Sequence, residues 1–256
     1  MFTTEIQFNL SAKADTDQAT SLLSELLGLW RQSGQIYDGF WPMTRRGRKL
    51  LVHVSLPEEC SLNSRFANKY VRSAHKRLRG IGLSEPTIRI LGPELEATPA
   101  CSCRRRQSYI LFTTYAHLGS SLHCGDCFSP VPLYRIPPTD GESYDDVLCW
   151  ETDYKSCDSL QMNCSTGEKF GTREISRFDS SLSKRGRKIC ARIESSTKKP
   201  AYYYLYRGSG KSLARERVRT CPQCGGKWLL KKGMHKLFDF KCDKCRLVSN
   251  IAWNVR

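Results

Sequence analysis

An α+β protein is predicted, with an N-terminal ferredoxin-like βαββαβ unit, a helical middle region and one or two zinc-ribbon modules. Three observations carry this reading. Apolar periods of two and of 3.6 residues alternate through positions 1–92, a helical period dominates 140–200, and two sets of four cysteines stand at metal-ligand spacing near 93–139 and within 201–256. Those four spans are the expected domains.

Ile6, Phe8 and Leu10 share one face of a strand, and Ala19, Leu22, Leu23, Leu26, Leu27 and Trp30 recur at helical spacing over 15–31. Two further strands are expected at 35–41 and 50–56, joined by the basic turn 44–49, with Val52, Val54 and Leu56 alternating in the second. A second helix over 61–81 runs through Phe66, Tyr70, Ala74 and Leu78, and a fourth strand over 87–91 turns Ile88 and Ile90 inward. Arg65, Lys69, Arg72, Lys76 and Arg79 step by 4, 3, 4 and 3 along the second helix, which places them on one cationic face. The third strand lacks the glycine-aromatic signature of an RNA-recognition motif, so no base stacking is assigned to this sheet.

After Pro93 and Pro99 the chain offers Cys101-Ser102-Cys103 and then Cys124-Gly125-Asp126-Cys127, with a strand-like stretch over 109–115 between them. These four cysteines are a candidate zinc site; the tight Cys-x-Cys half leaves His117 or His123 as a substitute ligand. Arg104, Arg105 and Arg106 follow Cys103 directly and are candidates for phosphate contact or for neutralising the thiolates.

Val147, Trp150, Tyr154, Cys157, Leu160 and Cys164 lie along one side of a helix over 143–164, so Cys157 and Cys164 read as buried small apolar groups. Cys149, Cys157 and Cys164 lack a Cys-x-x-Cys turn and are not expected to bind metal. The neighbours Asp145, Asp146, Glu151 and Asp153 read as a solvated helix face. A further helix is marked by Ile175, Phe178, Leu182, Ile189 and Ile193 and carries Lys184, Arg185, Arg187 and Lys188 near its middle, a second candidate phosphate contact. Tyr202 to Tyr206 read as a strand with packed tyrosines, and Lys211, Arg215, Arg217 and Arg219 precede the last module.

That module holds the most specific motif in the chain. Cys221-Pro222-Gln223-Cys224 and Cys242-Asp243-Lys244-Cys245 are separated by 17 residues. Each Cys-x-x-Cys turn supplies two thiolates from one tight loop, and the interval is long enough for two short strands. Gly225-Gly226 follows the first pair, and Trp228 to Leu230 and Leu237 to Phe240 read as the strands. A redox Cys-x-x-Cys would stand in a strand-to-helix context, which is absent here. Four protein thiolates close the coordination sphere, so the expected Zn2+ is structural.

The 41 Lys and Arg against 25 Asp and Glu give a formal charge of +16, which attracts a polyanion such as DNA or RNA. There is no run of 18 apolar residues and no signal-peptide pattern at the start, and thirteen cysteines suit a reducing compartment, so a basic cytoplasmic protein without membrane partners is expected. No His-x-Glu with Pro-Cys-x-x-Cys, no P-loop and no nucleophile elbow is present, from which a protein that is not an enzyme is expected.

The ordered set of Cys101-x-Cys103, Cys124-x-x-Cys127, the helix from Trp150 to Cys164, the Tyr202 to Tyr206 run, Cys221-Pro222-Gln223-Cys224 with its glycines, and Phe238 to Cys245 resembles an uncharacterised bacterial family described as zinc-ribbon-containing and nucleic-acid-binding. The resemblance covers nearly the whole chain and is most specific over 144–256. It implies a bacterial cytosolic protein with Cys221, Cys224, Cys242 and Cys245 as metal ligands. The expected function is a non-enzymatic zinc-ribbon protein that binds nucleic acid through its basic residues. The alternative is a protein-binding module, such as an immunity protein or antitoxin that blocks a bacterial toxin effector.

Overall fold

The alternation of Ile6 and Phe8 becomes strand β1 (Phe2–Asn9) in the computed structural model, which describes residues 1–256 apart from Lys13 and Asp38. The chain divides into two compact units, one comprising Met1–Ala100 with Pro132–Tyr144, the other Cys101–Val131 with Asp145–Arg256.

In the first unit, β1 is followed by α1 (Thr16–Gln32), β2 (Met43–Arg46), β3 (Lys49–Leu56), α2 (Lys69–Gly80) and β4 (Thr87–Pro93). The antiparallel sheet has the order β2-β3-β1-β4, which is the ferredoxin-like arrangement. Register explains how the core forms: Ile6 lies opposite Val52 and Ile88, and Phe8 opposite Leu50. That face packs with Leu23, Leu26 and Trp30 of α1 and Val71, Ala74 and Leu78 of α2. Asp15 caps α1 by accepting from the Asp17 amide, and Asn68 caps α2 by accepting from the Val71 amide at 3.0 Å.

Three local expectations change. The hairpin is β2–β3, turning at Gly47-Arg48, while 35–41 forms no described strand and Asp38 of that stretch lies outside the described residues. Gln35 is fully buried and its side chain donates to the Ser61 carbonyl at 2.9 Å while accepting from Ser33, which ties this segment into a loop. The second helix starts at Lys69, because Asn63 and Asn68 each cap a separate start and the chain is extended at Ala67 between them. Arg65 therefore sits in a short 3-10 turn (Ser64–Phe66), off the helix that carries the other four cations. On β4, Ile90 is partly buried but Ile88 remains 40 % exposed, since β4 is an edge strand.

The second unit contains β5 (Tyr109–Leu111), β6 (Leu122–Cys124), α3 (Asp145–Met162), α4 (Glu168–Ser176), α5 (Ser181–Thr197), β7 (Ala201–Leu205), α6 (Leu213–Arg217), β8 (Leu229–Met234), β9 (Phe238–Cys242) and β10 (Leu247–Ser249). One six-stranded sheet runs β6-β5-β7-β10-β9-β8. Strand β7 pairs parallel with β5 on one side and with β10 on the other. All five of its residues are buried, as in a central strand covered on both faces, so Tyr202, Tyr203 and Tyr204 are packed side chains. The stretches expected as a first metal module, a helical region and a terminal metal module thus contribute to one unit, and 132–144 falls with the other.

The single helix expected through Ile175 and Ile193 is two. Ser180 breaks it by accepting from the Ser183 amide at 3.1 Å while its hydroxyl donates to the Glu174 carbonyl at 2.7 Å. Cys157 is buried as expected, whereas Cys164 lies exposed beyond the end of α3 at φ 52°, because the helix ends before it. Gly186, within the basic run, has a packing role: a Cβ there would come within 2.2 Å of the Tyr203 ring and 2.8 Å of Trp150 Nε1. Gly186→Ala is expected to lower stability by about 1–3 kcal/mol by overpacking, read as a fall in the denaturant midpoint; an unchanged midpoint contradicts the close approach of α5 to β7. Among the described residues no helix is long and apolar enough to cross a membrane.

Candidate metal centres and cationic residues

The sheet brings the cysteines together from distant positions. Cys124 ends β6, and the turn that follows returns Phe128 N–H to the Cys124 carbonyl at 2.9 Å, placing Cys127 beside it. Cys101 is fixed by its amide donating to the Pro130 carbonyl at 2.8 Å. The thiol sulfurs of Cys101, Cys103, Cys124 and Cys127 all lie within 4.8 Å of one another.

The second cluster repeats the device. Gly225 N–H donates to the Cys221 carbonyl and Cys221 N–H to the Gly226 carbonyl, both at 2.9 Å, with Gly225 at φ 69°, a conformation that favours glycine. Cys242 ends β9 opposite Leu247 of β10, and Cys245 lies in the turn between them. The sulfurs of Cys221, Cys224, Cys242 and Cys245 also lie within 4.8 Å of one another. The Gly226 amide holds the Cys224 thiol down, to a pKa of about 7.

Donor type and spacing can be tested against a metal. Four sulfurs at about 2.3 Å from a tetrahedral ion stand about 3.8 Å apart along each edge. Cys224 and Cys242 sulfurs are 3.8 Å apart, and Cys127 and Cys101 sulfurs 3.6 Å. Each cluster could therefore hold one metal ion, and the donor sets are compatible with zinc.

His117 and His123 do not substitute for a cysteine. The His117 Nε2 lies 3.2 Å from the Ser120 carbonyl and His123 Nδ1 2.9 Å from that of Phe128, with His123 stacked on the Phe128 ring; burial lowers the His123 pKa to about 3. Cys149, Cys157 and Cys164 join no ligand group among the described residues. The acidic helix residues are engaged in ion pairs, Asp153 with Arg185, Asp146 with Arg192 and Glu151 with Lys155.

The candidate cations fall into two kinds. Lys69 pairs with Glu142 at 3.3 Å, Arg79 with Glu85 at 2.9 Å and Arg185 with Asp153, while Arg72 donates through Nε and Nη2 to the Ala67 carbonyl. Arg65 lies over the Phe66 ring, and Arg187 is half-buried over Phe178, 3.7 Å from the ring centre. Arg106 is also half-buried, with Nη2 3.5 Å from the Cys101 carbonyl, which favours the neutralising role over contact with phosphate. By contrast Lys76, Arg104, Arg105, Lys184 and Lys188 are exposed and, among the described residues, make no ion pair.

Arg219, expected in the basic stretch before the last module, is instead half-buried against it. Its guanidinium lies 4.9 Å from the Trp228 ring centre and 4.3 Å from that of Phe240, and Nη2 donates to the Asn250 carbonyl at 2.9 Å. Burial lowers its pKa to about 10. Glu216, 2 % exposed, takes Arg207 Nη2 at 2.7 Å and Arg219 Nε at 3.4 Å, so one buried carboxylate joins α6 to the sheet. The expected basic run contained no spacing that distinguishes this network from an exposed one.

Three family models match the chain: a domain of unknown function (DUF8589) over 1–92, another (DUF2310) over 103–206 and a third (DUF8594) over 210–255. An uncharacterized protein of Haemophilus influenzae is 34% identical over 259 residues, covering 99% of this chain and 99% of its own. A second from the same organism is 44% identical over 145 residues, covering 57% of this chain and 71% of its own. Among solved structures, a putative antibiotic biosynthesis monooxygenase from Deinococcus radiodurans is 15% identical, with TM-score 0.26, and covers 37% of this chain and 93% of its own. A second antibiotic biosynthesis monooxygenase is 11% identical with TM-score 0.28, covering 36% of this chain and 98% of its own, and a conserved protein from Methanosarcina mazei Go1 is 13% identical with TM-score 0.28, covering 37% and 95%. The expectation that the chain is not an enzyme is withdrawn: two of these structures are described as antibiotic biosynthesis monooxygenases, and a likeness at these TM-scores assigns no activity to the chain. With a full-length relative at 34% identity, the chain belongs to the bacterial family represented by the uncharacterized Haemophilus influenzae protein.

Proposed function

We propose that both cysteine clusters hold structural zinc, making two ribbon-like modules within the second unit, and that the protein binds nucleic acid in the reducing cytoplasm. The observation that carries the metal assignment is the pair of all-thiolate clusters with sulfur separations of a tetrahedral zinc site. With four thiolates bound, zinc supplies a fixed crosslink and no open position for substrate. The protein's own residues then do the recognition. Arg104 and Arg105 follow a metal-tethered Cys103, so their backbone is held where the side chains reach outward. Lys184 and Lys188 occupy the exposed side of α5 one turn apart, a spacing that suits a phosphate backbone. On the first unit, Lys76 is an exposed cation of α2 that makes no ion pair among the described residues, whereas Arg72 is held by the Ala67 carbonyl.

Elemental analysis of protein purified without added metal is expected to return two zinc per chain. Fluorescence anisotropy with labelled single- and double-stranded DNA and RNA is expected to show binding that weakens steeply with salt, as counterion release requires. Absence of binding at low salt overturns the nucleic-acid reading and leaves the metal assignment standing.

A further inference from the structure

The second unit contains a cleft of about 770 Å³ whose lining has no lysine and no arginine, on a chain of net charge +16. Its walls are aromatic, with Tyr115, Tyr206 and Trp253 at the exposed side and Tyr154 and Tyr204 deeper in. Asp158 of α3 also lines it. This carboxylate is only 6 % exposed, its Oδ2 accepts the Tyr115 amide at 2.8 Å, and among the described residues no cation pairs with it.

A buried carboxylate costs several kcal/mol unless a positive or strongly donating partner meets it. Burial raises the Asp158 pKa, the sign of a carboxylate that lacks such a partner. One turn along the same helix face, Gln161 Oε1 is buried without any hydrogen bond, and it too lines the cleft. Glu168 at the start of α4 adds a second carboxylate. The strongest polar features of the cleft are therefore acceptors, and its faces are π-systems that attract positive charge.

We infer that this cleft binds an organic cation carrying N–H donors, of the amine or guanidine class, with the cationic head on Asp158 and Gln161 and the body against the tyrosines and Trp253. The volume lies within the range of small-molecule sites, and an anionic ligand is excluded by the two carboxylates. The Arg256 guanidinium already lies 5.1 Å from the Trp253 ring centre, held by the Lys236 carbonyl at 2.8 Å, so this indole accepts a cation at the rim. The site is separate from the zinc and phosphate contacts proposed above and does not depend on them.

The test is calorimetric titration of the full chain with spermidine and with methylguanidine, beside guanosine as a neutral donor-bearing heterocycle. Saturable binding of either cation is expected, weakened roughly tenfold or more by Asp158→Asn, which keeps the size and the Tyr115 contact but removes the charge. A ligand-induced change in tryptophan fluorescence is expected, and Trp253→Phe should remove it while leaving the fold intact by circular dichroism. Saturation by spermidine but not methylguanidine assigns the amine class, and the reverse assigns the guanidine class. No saturation by either, equal affinity in Asp158→Asn, or preferential binding of guanosine overturns the inference. Nucleic-acid affinity measured on the same Asp158→Asn variant should be unchanged, so the two readings fail separately.

Discussion

Cys242→Ser is expected to release one zinc per chain and to unfold the sheet edge formed by β8, β9 and β10. Cys242 is buried at the end of β9, where it both closes the metal cluster and pairs with Leu247. Structural zinc contributes an apparent binding free energy of about 10–16 kcal/mol in small zinc modules, more than a typical domain has in net stability. Three remaining thiolates cannot keep most of that, and serine supplies a poor ligand. The consequence should spread, because β10 pairs with the central strand β7 and Arg219 is clamped between Trp228 and Phe240. Elemental analysis should fall from two zinc to one, and amide exchange over 221–250 should lose its protection. Retention of two zinc, or protection unchanged on both sides of the substitution, refutes a metal-supported module. Cys101→Ser should produce the same loss at the other cluster, with exchange rising around β5 and β6.

The second large effect concerns charge. A variant carrying Lys76→Ala, Arg104→Ala, Arg105→Ala, Lys184→Ala and Lys188→Ala removes cations that make no ion pair among the described residues, so the fold should tolerate it. If all five neutralise phosphates, the slope of log affinity against log salt should become shallower by about 4.5 for duplex DNA, from roughly 0.9 per contact. A companion variant in Lys69, Arg79 and Arg185, which are held by Glu142, Glu85 and Asp153, should change that slope much less. Equal effects from the two sets contradict the division between free and engaged cations. An unchanged slope in the first variant removes these residues from the interface altogether.

That division was not legible in the sequence. A helical step of four or three residues places Lys69, Arg72, Lys76 and Arg79 on one side, but whether each faces solvent freely depends on acids far along the chain. Glu142 reaches Lys69 from 73 positions away, and Arg185 meets Asp153 across two helices. Arg219 is the extreme case: in the sequence it is one more cation in a basic stretch, and in the fold it is the packed centre of an aromatic and carboxylate network. The hairpin position and the break at Ser180 were missed for a related reason. Asn63 and Ser180 offered local hydrogen bonds, and Gln35 a distant one to the Ser61 carbonyl, that outweighed apolar periodicity. The cleft around Asp158 carries no sequence signal at all, since its walls come from the segment after β5, from α3, α4 and β7, and from the C-terminal residues.

The sequence by itself determined the α+β class, the βαββαβ order of the first unit and the composition of both thiolate clusters. These follow from short-range regularities: a period of two or 3.6 residues and a pair of sulfurs one tight turn apart. Only the tertiary structure decided that β5, β7 and β10 merge the two cysteine-bearing stretches into one sheet, which cations stay free, and where a buried carboxylate faces an aromatic cleft. Those outcomes depend on pairings between residues tens of positions apart, whose geometry no local pattern encodes.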